Sequence, residues 1–186
     1  MYREPRVYSS YRENNIGKTL YDIVIKLKPQ KIVEIGVLEG YSTICMAQAL
    51  KDLGEGGKIH AYDLFDDYKY RNCTMSEVWD NVNKYEVQDY VKLEHKSFDE
   101  WLSKVYDFDL LHLDISNDGD TILKIHGKYP NEKVIFEGGS VERDNIEWMI
   151  KYKKTKITEV WENCKYKIIN DAFPSLSGYN IWVKKI

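Results

Sequence analysis

Carboxylates and glycines close four of the chain's short apolar runs. Lys31-Ile-Val-Glu-Ile-Gly36 ends on Gly36 and continues into Val37-Leu38-Glu39-Gly40, while Lys58-Ile-His-Ala-Tyr-Asp63, Phe108-Asp-Leu-Leu-His-Leu-Asp114 and Lys133-Val-Ile-Phe-Glu137 end on acids. Glycines let a backbone approach a ligand without a Cβ clash. A carboxylate at Asp63 can accept both hydrogen bonds from the vicinal hydroxyls of a ribose. Each feature alone has a structural explanation, a tight strand-to-helix turn for Gly36 and Gly40 and a cap for Asp63. Together and in this order they point to a nucleotide-like ligand.

A dinucleotide site asks for G-x-G-x-x-G with the pyrophosphate on a helix N-terminus. Here Leu38 stands where the middle glycine belongs, and Glu34 and Glu39 put negative charge beside any pyrophosphate. A cationic ligand fits better, with an NAD-dependent oxidoreductase as an alternative that the Rossmann-like layout leaves open.

With those residues in view, the chain resembles the class I S-adenosylmethionine-dependent methyltransferases. Val33-Glu-Ile-Gly-Val-Leu-Glu-Gly-Tyr-Ser-Thr43 is similar to their first motif in the E-x-G-x-x-x-G-x-S-T form of small-molecule O-methyltransferases, including the macrocin-type sugar enzymes. Asp63, followed by Leu64, matches the ribose acid of the second motif, Lys96-Ser97-Phe98 the adenine-side third, and Leu111-His-Leu-Asp114 the fourth; the likeness runs from about Ile32 to Gly139. The resemblance implies that Glu34 orients the methionine ammonium, that Gly36, Val37 and Gly40 give close backbone approach, and that Ser97, Phe98 and Asp114 also face the cofactor. A sulfonium carrying a carboxylate and an ammonium needs donors for the first, which loop amides and the helix start at Ser42 and Thr43 can supply, and an acid for the second.

Methyl transfer requires in-line alignment of acceptor, methyl and sulfur, and an acceptor hydroxyl must lose its proton. Asp114, at a strand end, is the leading candidate for work at the acceptor, with Asp118 and His112 beside it and His126 and Glu137 as weaker bases. The resemblance also implies a magnesium ion in one branch of the family, for which Asp114 and Glu137 are the candidate ligands. There Glu137-Gly138 stands in place of an acid/amide pair, and Asn117 in place of a lysine base. Two structural readings compete: His112 as a core histidine, and Asn117-Asp118-Gly119-Asp120 as a turn that caps the next helix. Gly138 and Asn117 also prompt a non-catalytic cofactor-binding subunit as an alternative. A nucleic-acid methyltransferase is a further one, against which Asp114-Ile-Ser-Asn117 lacks the Asn/Asp-Pro-Pro-aromatic pattern and no Pro-Cys occurs.

The elements that must hold these residues alternate. Apolar residues at three- and four-residue steps predict helices over Ile16–Leu27, Tyr41 to about Leu53, Thr74–Tyr85, Phe98–Lys104, Gly119–Lys128 and Ser140–Lys151. Between them lie strand-like runs at Lys31–Gly36, Lys58–Asp63, Tyr90–Glu94, Phe108–Asp114 and Lys133–Glu137, a pattern of parallel strands with crossovers. Tyr166–Asn170 and Tyr179–Val183, joined by a loop too short for a crossover helix, are expected to pair antiparallel. The expected fold is α/β: a Rossmann-like three-layer sandwich with a mostly parallel seven-stranded sheet and a C-terminal antiparallel hairpin.

At 186 residues one domain is expected. Residues 1–15, with Tyr2, Tyr8 and Tyr11 among Arg3, Arg6 and Arg12, are its arm or acceptor lid, with a subunit contact as an alternative. Arg143 could meet an anionic substrate or be solvated. Net charge −3 gives no global basic field for nucleic acid or anionic membrane, and Lys151–Lys156 reads as a solvated helix end. Three separated cysteines argue against a disulfide framework or zinc. Without a signal-type apolar segment or a membrane-length run, the expectation is a soluble, cytoplasmic protein with a small-molecule acceptor, and a homodimer that completes the acceptor pocket.

Overall fold

The structure, a computed structural model, describes residues 1–9, 11–12, 16–70, 73–115, 118–137, 144–160, 164, 167–168 and 181–183; for Glu137 and the last two strands it describes the backbone alone. Two compact units divide the chain, Met1–Asp109 and Leu110–Ile186.

The first unit runs α1 (Ile16–Leu27), β1 (Lys31–Ile35), α2 (Tyr41–Leu53), β2 (Lys58–Asp63), α3 (Met75–Lys84), β3 (Val91–His95) and α4 (Phe98–Leu102). Its strands are parallel in the order β3-β2-β1, with Ile32 beside Ile59 and Ile59 beside Val91. Ile32 to Ile35 are all buried, as expected of a strand covered on both faces. Helix α2 is buried continuously from Tyr41 to Leu50, and α1 lies on it through a stripe of Ile16, Leu20, Ile23 and Val24. Gly17 also faces α2: a Cβ there would collide with the Tyr2 and Tyr41 hydroxyls and lie 2.7 Å from Cys45 Sγ. Asp109 fixes the start of β1, accepting from the Gln30 and Lys31 amides at 2.8 and 2.9 Å and donating its own N–H to Lys31 O at 2.8 Å. Reciprocal capping boxes, Thr74 with Glu77 and Ser97 with Glu100, open α3 and α4.

The second unit runs β4 (Leu110–Leu113), α5 (Gly119–Lys128), β5 (Val134–Glu137), α6 (Glu147–Lys151), α7 (Ile157–Val160), β6 (Lys167–Ile168) and β7 (Ile181–Val183). Strand β4 is buried throughout and pairs parallel with β5; β7 runs antiparallel to both β5 and β6. Helix α5 packs on α7, and the chain at 155–156 comes so close that a Cβ at Gly119 would meet Lys156 O at 2.7 Å.

Strands joined by helical crossovers make this an α/β, Rossmann-like fold with a parallel sheet. Of the two runs expected to close it, β6 and β7 are the described parts, and the remainder of Tyr166–Val183 lies outside the described residues. The helix expected over Ser140–Lys151 is shorter: residues 140–143 lie outside the described residues, and α6 begins only after Ile146, whose extended backbone (φ −68°, ψ 155°) interrupts the stretch. Helix α7 has no counterpart in the periodicity. Asp144 holds it, accepting from the Ile157 and Thr158 amides at 2.8 and 2.9 Å.

Candidate active site

In the first unit the glycine turn and the acid of β2 are one assembly. Gly36 (φ 89°), Leu38 (φ 52°) and Gly40 (φ 86°) all take left-handed backbone, so the turn curls and aims its amides inward. Asp63 holds it: Oδ2 accepts from the Val37 and Leu38 amides at 2.5 and 3.0 Å, and Oδ1 accepts from Phe65 N at 3.0 Å. Phe65 is itself left-handed (φ 49°). The Gly36 amide donates to Tyr62 O, and Gly40 N to Val37 O, both at 2.9 Å. Asp63 stays half-buried, and a carboxylate has about four acceptor directions, so room is left for a further donor. Leu64, half-buried, precedes the short 3-10 turn at Phe65–Asp67.

Glu34 lies fully buried in β1. Ser42 Oγ donates to its Oε1 at 2.6 Å and Thr43 Oγ1 donates to its Oε2, which ties β1 to the first turn of α2. Its negative charge then sits under a helix N-terminus, where it is stabilised by that end's partial positive charge. The hydroxyls of Ser42 and Thr43 are thereby engaged. At the end of β3, Lys96 N donates to Asp63 O at 2.9 Å, bringing the third candidate segment to the second. Ser97 caps α4, with its hydroxyl donating to Glu100 Oε2 at 2.7 Å, and the half-buried Phe98 ring stacks toward Trp101 with centroids 6.5 Å apart.

In the second unit, His112 is buried within β4 and Asp114 is half-buried just past its end. Asp118 is buried at the head of α5, where Oδ1 accepts from Thr121 N and Oγ1, both at 2.8 Å, and Oδ2 pairs with Lys154 Nζ at 2.9 Å. Burial pushes the Asp118 carboxyl upward, but Lys154 and the Thr121 donors outweigh it and hold the group below the ordinary aspartate range. Lys154 therefore does not belong to a merely solvated helix end. Asp120 accepts from Thr155 Oγ1 at 2.8 Å, and His126 lies half-buried in the last turn of α5. Asn117, Gly138, Gly139 and Arg143, and the side chain of Glu137, lie outside the described residues. Among the described residues no three His, Cys, Asp or Glu side chains gather to hold a metal ion.

Sequence reasoning missed one set of contacts entirely. Tyr8 N donates to Glu39 Oε2 at 2.8 Å and Tyr41 Oη to Glu4 Oε1 at 2.5 Å, so the opening segment touches the glycine loop and the helix that follows it. A scatter of Tyr and Arg carries no period that would reveal this.

The sequence around the glycine turn and its strand-end acid matches a known family model. Residues 33–128, more than half of the chain, match the model described as a methyltransferase domain. The chain belongs to this methyltransferase family. No curated protein matches the sequence. Among solved structures, the methyltransferase chain is similar to the O-methyltransferase from Bacillus cereus in complex with SAH (19% identity, 97% of this chain and 82% of that one, TM-score 0.62). It is also similar to the SAH-bound methyltransferase PaMTH1 of Podospora anserina (15%, 96% and 80%, TM-score 0.65). A third is the O-methyltransferase TomG of Streptomyces achromogenes, involved in tomaymycin synthesis and in complex with SAM (16%, 95% and 79%, TM-score 0.60). At these identities the likeness is one of fold.

Proposed function

We propose that this methyltransferase uses S-adenosylmethionine to methylate a hydroxyl of a small molecule, with a sugar or glycan precursor as the favoured acceptor class. The observation that carries the reading is the Asp63 clasp on the left-handed Gly36–Gly40 turn. It is supported by the O-methyltransferase structures of the same fold that hold SAM or SAH.

When bound, S-adenosylmethionine supplies an electrophilic methyl group that moves by direct displacement at carbon. The remaining acceptor direction of Asp63 takes one ribose hydroxyl, with Leu64 beside it. The first-turn amides of Ser42 and Thr43 meet the cofactor carboxylate, and the backbone of Gly36, Val37 and Gly40, whose N–H groups are engaged within the turn and its clasp, gives the cofactor close approach. Glu34, held by its two hydroxyl partners, supplies negative potential for the ammonium, and Ser97 and Phe98 flank the adenine. Asp114 accepts the proton of the acceptor hydroxyl. His112 positions β4, and Asp118, already capping α5, is the weaker base. The remaining parts of the proposal are a single domain over all 186 residues, a seven-stranded sheet completed by the C-terminal hairpin, a cytoplasmic location, and a homodimer acting on small molecules rather than nucleic acid. Among the described residues no helix is long and apolar enough to cross a membrane.

Calorimetric titration with S-adenosylmethionine, S-adenosylhomocysteine and NAD, with and without magnesium, tests this. Micromolar binding of the first two and none of NAD is expected. Silence toward all three would overturn the reading, and binding without turnover on any acceptor hydroxyl would leave a cofactor-binding subunit.

A further inference from the structure

Residues 1–9, ahead of α1, carry no helix or strand, with Pro5 and Val7 buried and Arg3, Arg6 and Tyr8 exposed. It lies along α2 and is tied down at successive points. Gln48, itself buried, accepts from Arg3 N at 2.7 Å and donates to Arg3 O at 2.9 Å. Arg6 N donates to Tyr85 Oη at 2.5 Å, and the Arg3 guanidinium stands 5.2 Å over the same ring. Glu4 is held by the Tyr2 and Tyr41 hydroxyls, both donors, because burial first of all pushes each phenol well above its ordinary range. Gly17 of α1 leaves the space in which the two hydroxyls and Cys45 Sγ gather.

Two of these ties end on the cofactor loop. Tyr41 is the first residue of α2, directly after Gly40. Glu39, one residue earlier, accepts from Tyr8 N through its side chain, while its backbone oxygen accepts from Asn81 Nδ2 of α3 at 3.0 Å. The loop's far end is thus gripped by the segment and by α3, and its near end by Asp63.

We propose that residues 2–8 form a strap that sets the conformation of the Gly36–Gly40 loop, and that Glu4 is a positioning residue for the cofactor, acting through Tyr41. For its ligand this rests on the reading that the loop holds S-adenosylmethionine; for the loop's geometry it stands alone. Loosening the strap at Glu4 frees the loop, whereas loosening it at Gln48, farther along α2, does not.

The test compares Glu4→Ala, Glu4→Gln and Gln48→Leu in the full chain, by amide hydrogen exchange of residues 36–44 without ligand and by calorimetry with S-adenosylmethionine. Glu4→Ala should speed exchange of the loop amides, and of Ile44 N, which donates to Gly40 O, by about tenfold, and weaken cofactor binding by about tenfold. Glu4→Gln, which keeps an acceptor oxygen, should fall between. Gln48→Leu should lower the melting temperature comparably while moving both loop readouts by less than about twofold. Unchanged loop exchange in Glu4→Ala, or an equal change in Gln48→Leu, would overturn the strap. Faster loop exchange in Glu4→Ala alongside a native chain that binds no S-adenosylmethionine would instead overturn the cofactor reading and leave the strap standing.

Discussion

The carboxylate of Asp63 accepts three backbone N–H groups from two sides of one site, so its removal should damage shape as well as contact. Hydrogen bonds to a charged group are worth about 1.5–3 kcal/mol each, and about 1.4 kcal/mol is tenfold in affinity. Asp63→Ala should therefore weaken S-adenosylmethionine binding about 100-fold or more, read by calorimetry. Asp114→Ala should spare binding and lower turnover by about 100-fold, the ordinary scale of a lost general base. The reverse pattern would exchange the two assignments. Asp118 makes a different prediction. Its folded pKa is depressed by Lys154 and Thr121 against the upward push of burial, so its contribution to stability is present above the unfolded value of about 3.9 and lost as pH falls through the lower folded value. Acid unfolding below about pH 4 should be shallower in Asp118→Asn than in the native chain.

At the scale of elements, β1 and α2 are joined through Glu34 and the hydroxyls of Ser42 and Thr43. Glu34→Ala would leave both buried hydroxyls without their acceptor, a cost of about 3 kcal/mol, visible as a lowered midpoint in urea unfolding. Apolar patterning located α1, α2, α5 and strands β1, β2, β4 and β5, because each buries a stripe or both faces, and burial is what such patterning records; in β3, also located from its apolar run, only Val91 is buried. The glycine turn and Asp63 were legible for a similar reason: their residue types at strand ends have few uses. Other elements obey no period. Helix α7 and the strap are held by side chains bonded to backbone, Asp144 to the Ile157 and Thr158 amides and Gln48 to Arg3. Such bonds join residues far apart in sequence and leave no local pattern. Lys154 is the same case: within Lys151–Lys156 nothing marks the one lysine that pairs with Asp118.

For the whole molecule, net charge −3 provides no field that concentrates the chain on polyanions, so duplex DNA should show no salt-dependent binding at submicromolar protein. The homodimer reading is equally open to test: light scattering should give twice the 22.0 kDa chain mass, and full activity in a strictly monomeric preparation would exclude it. A last consequence concerns Gly17. Alanine is the better helix former by about 1 kcal/mol, yet in the folded chain its methyl group would enter the cluster of Tyr2, Tyr41 and Cys45. A peptide of Ile16–Leu27 and the intact protein should thus answer Gly17→Ala with opposite signs, circular dichroism rising in the first while the second melts earlier. Position 17 forgoes the strength of its own helix so that a neighbouring segment can close over it.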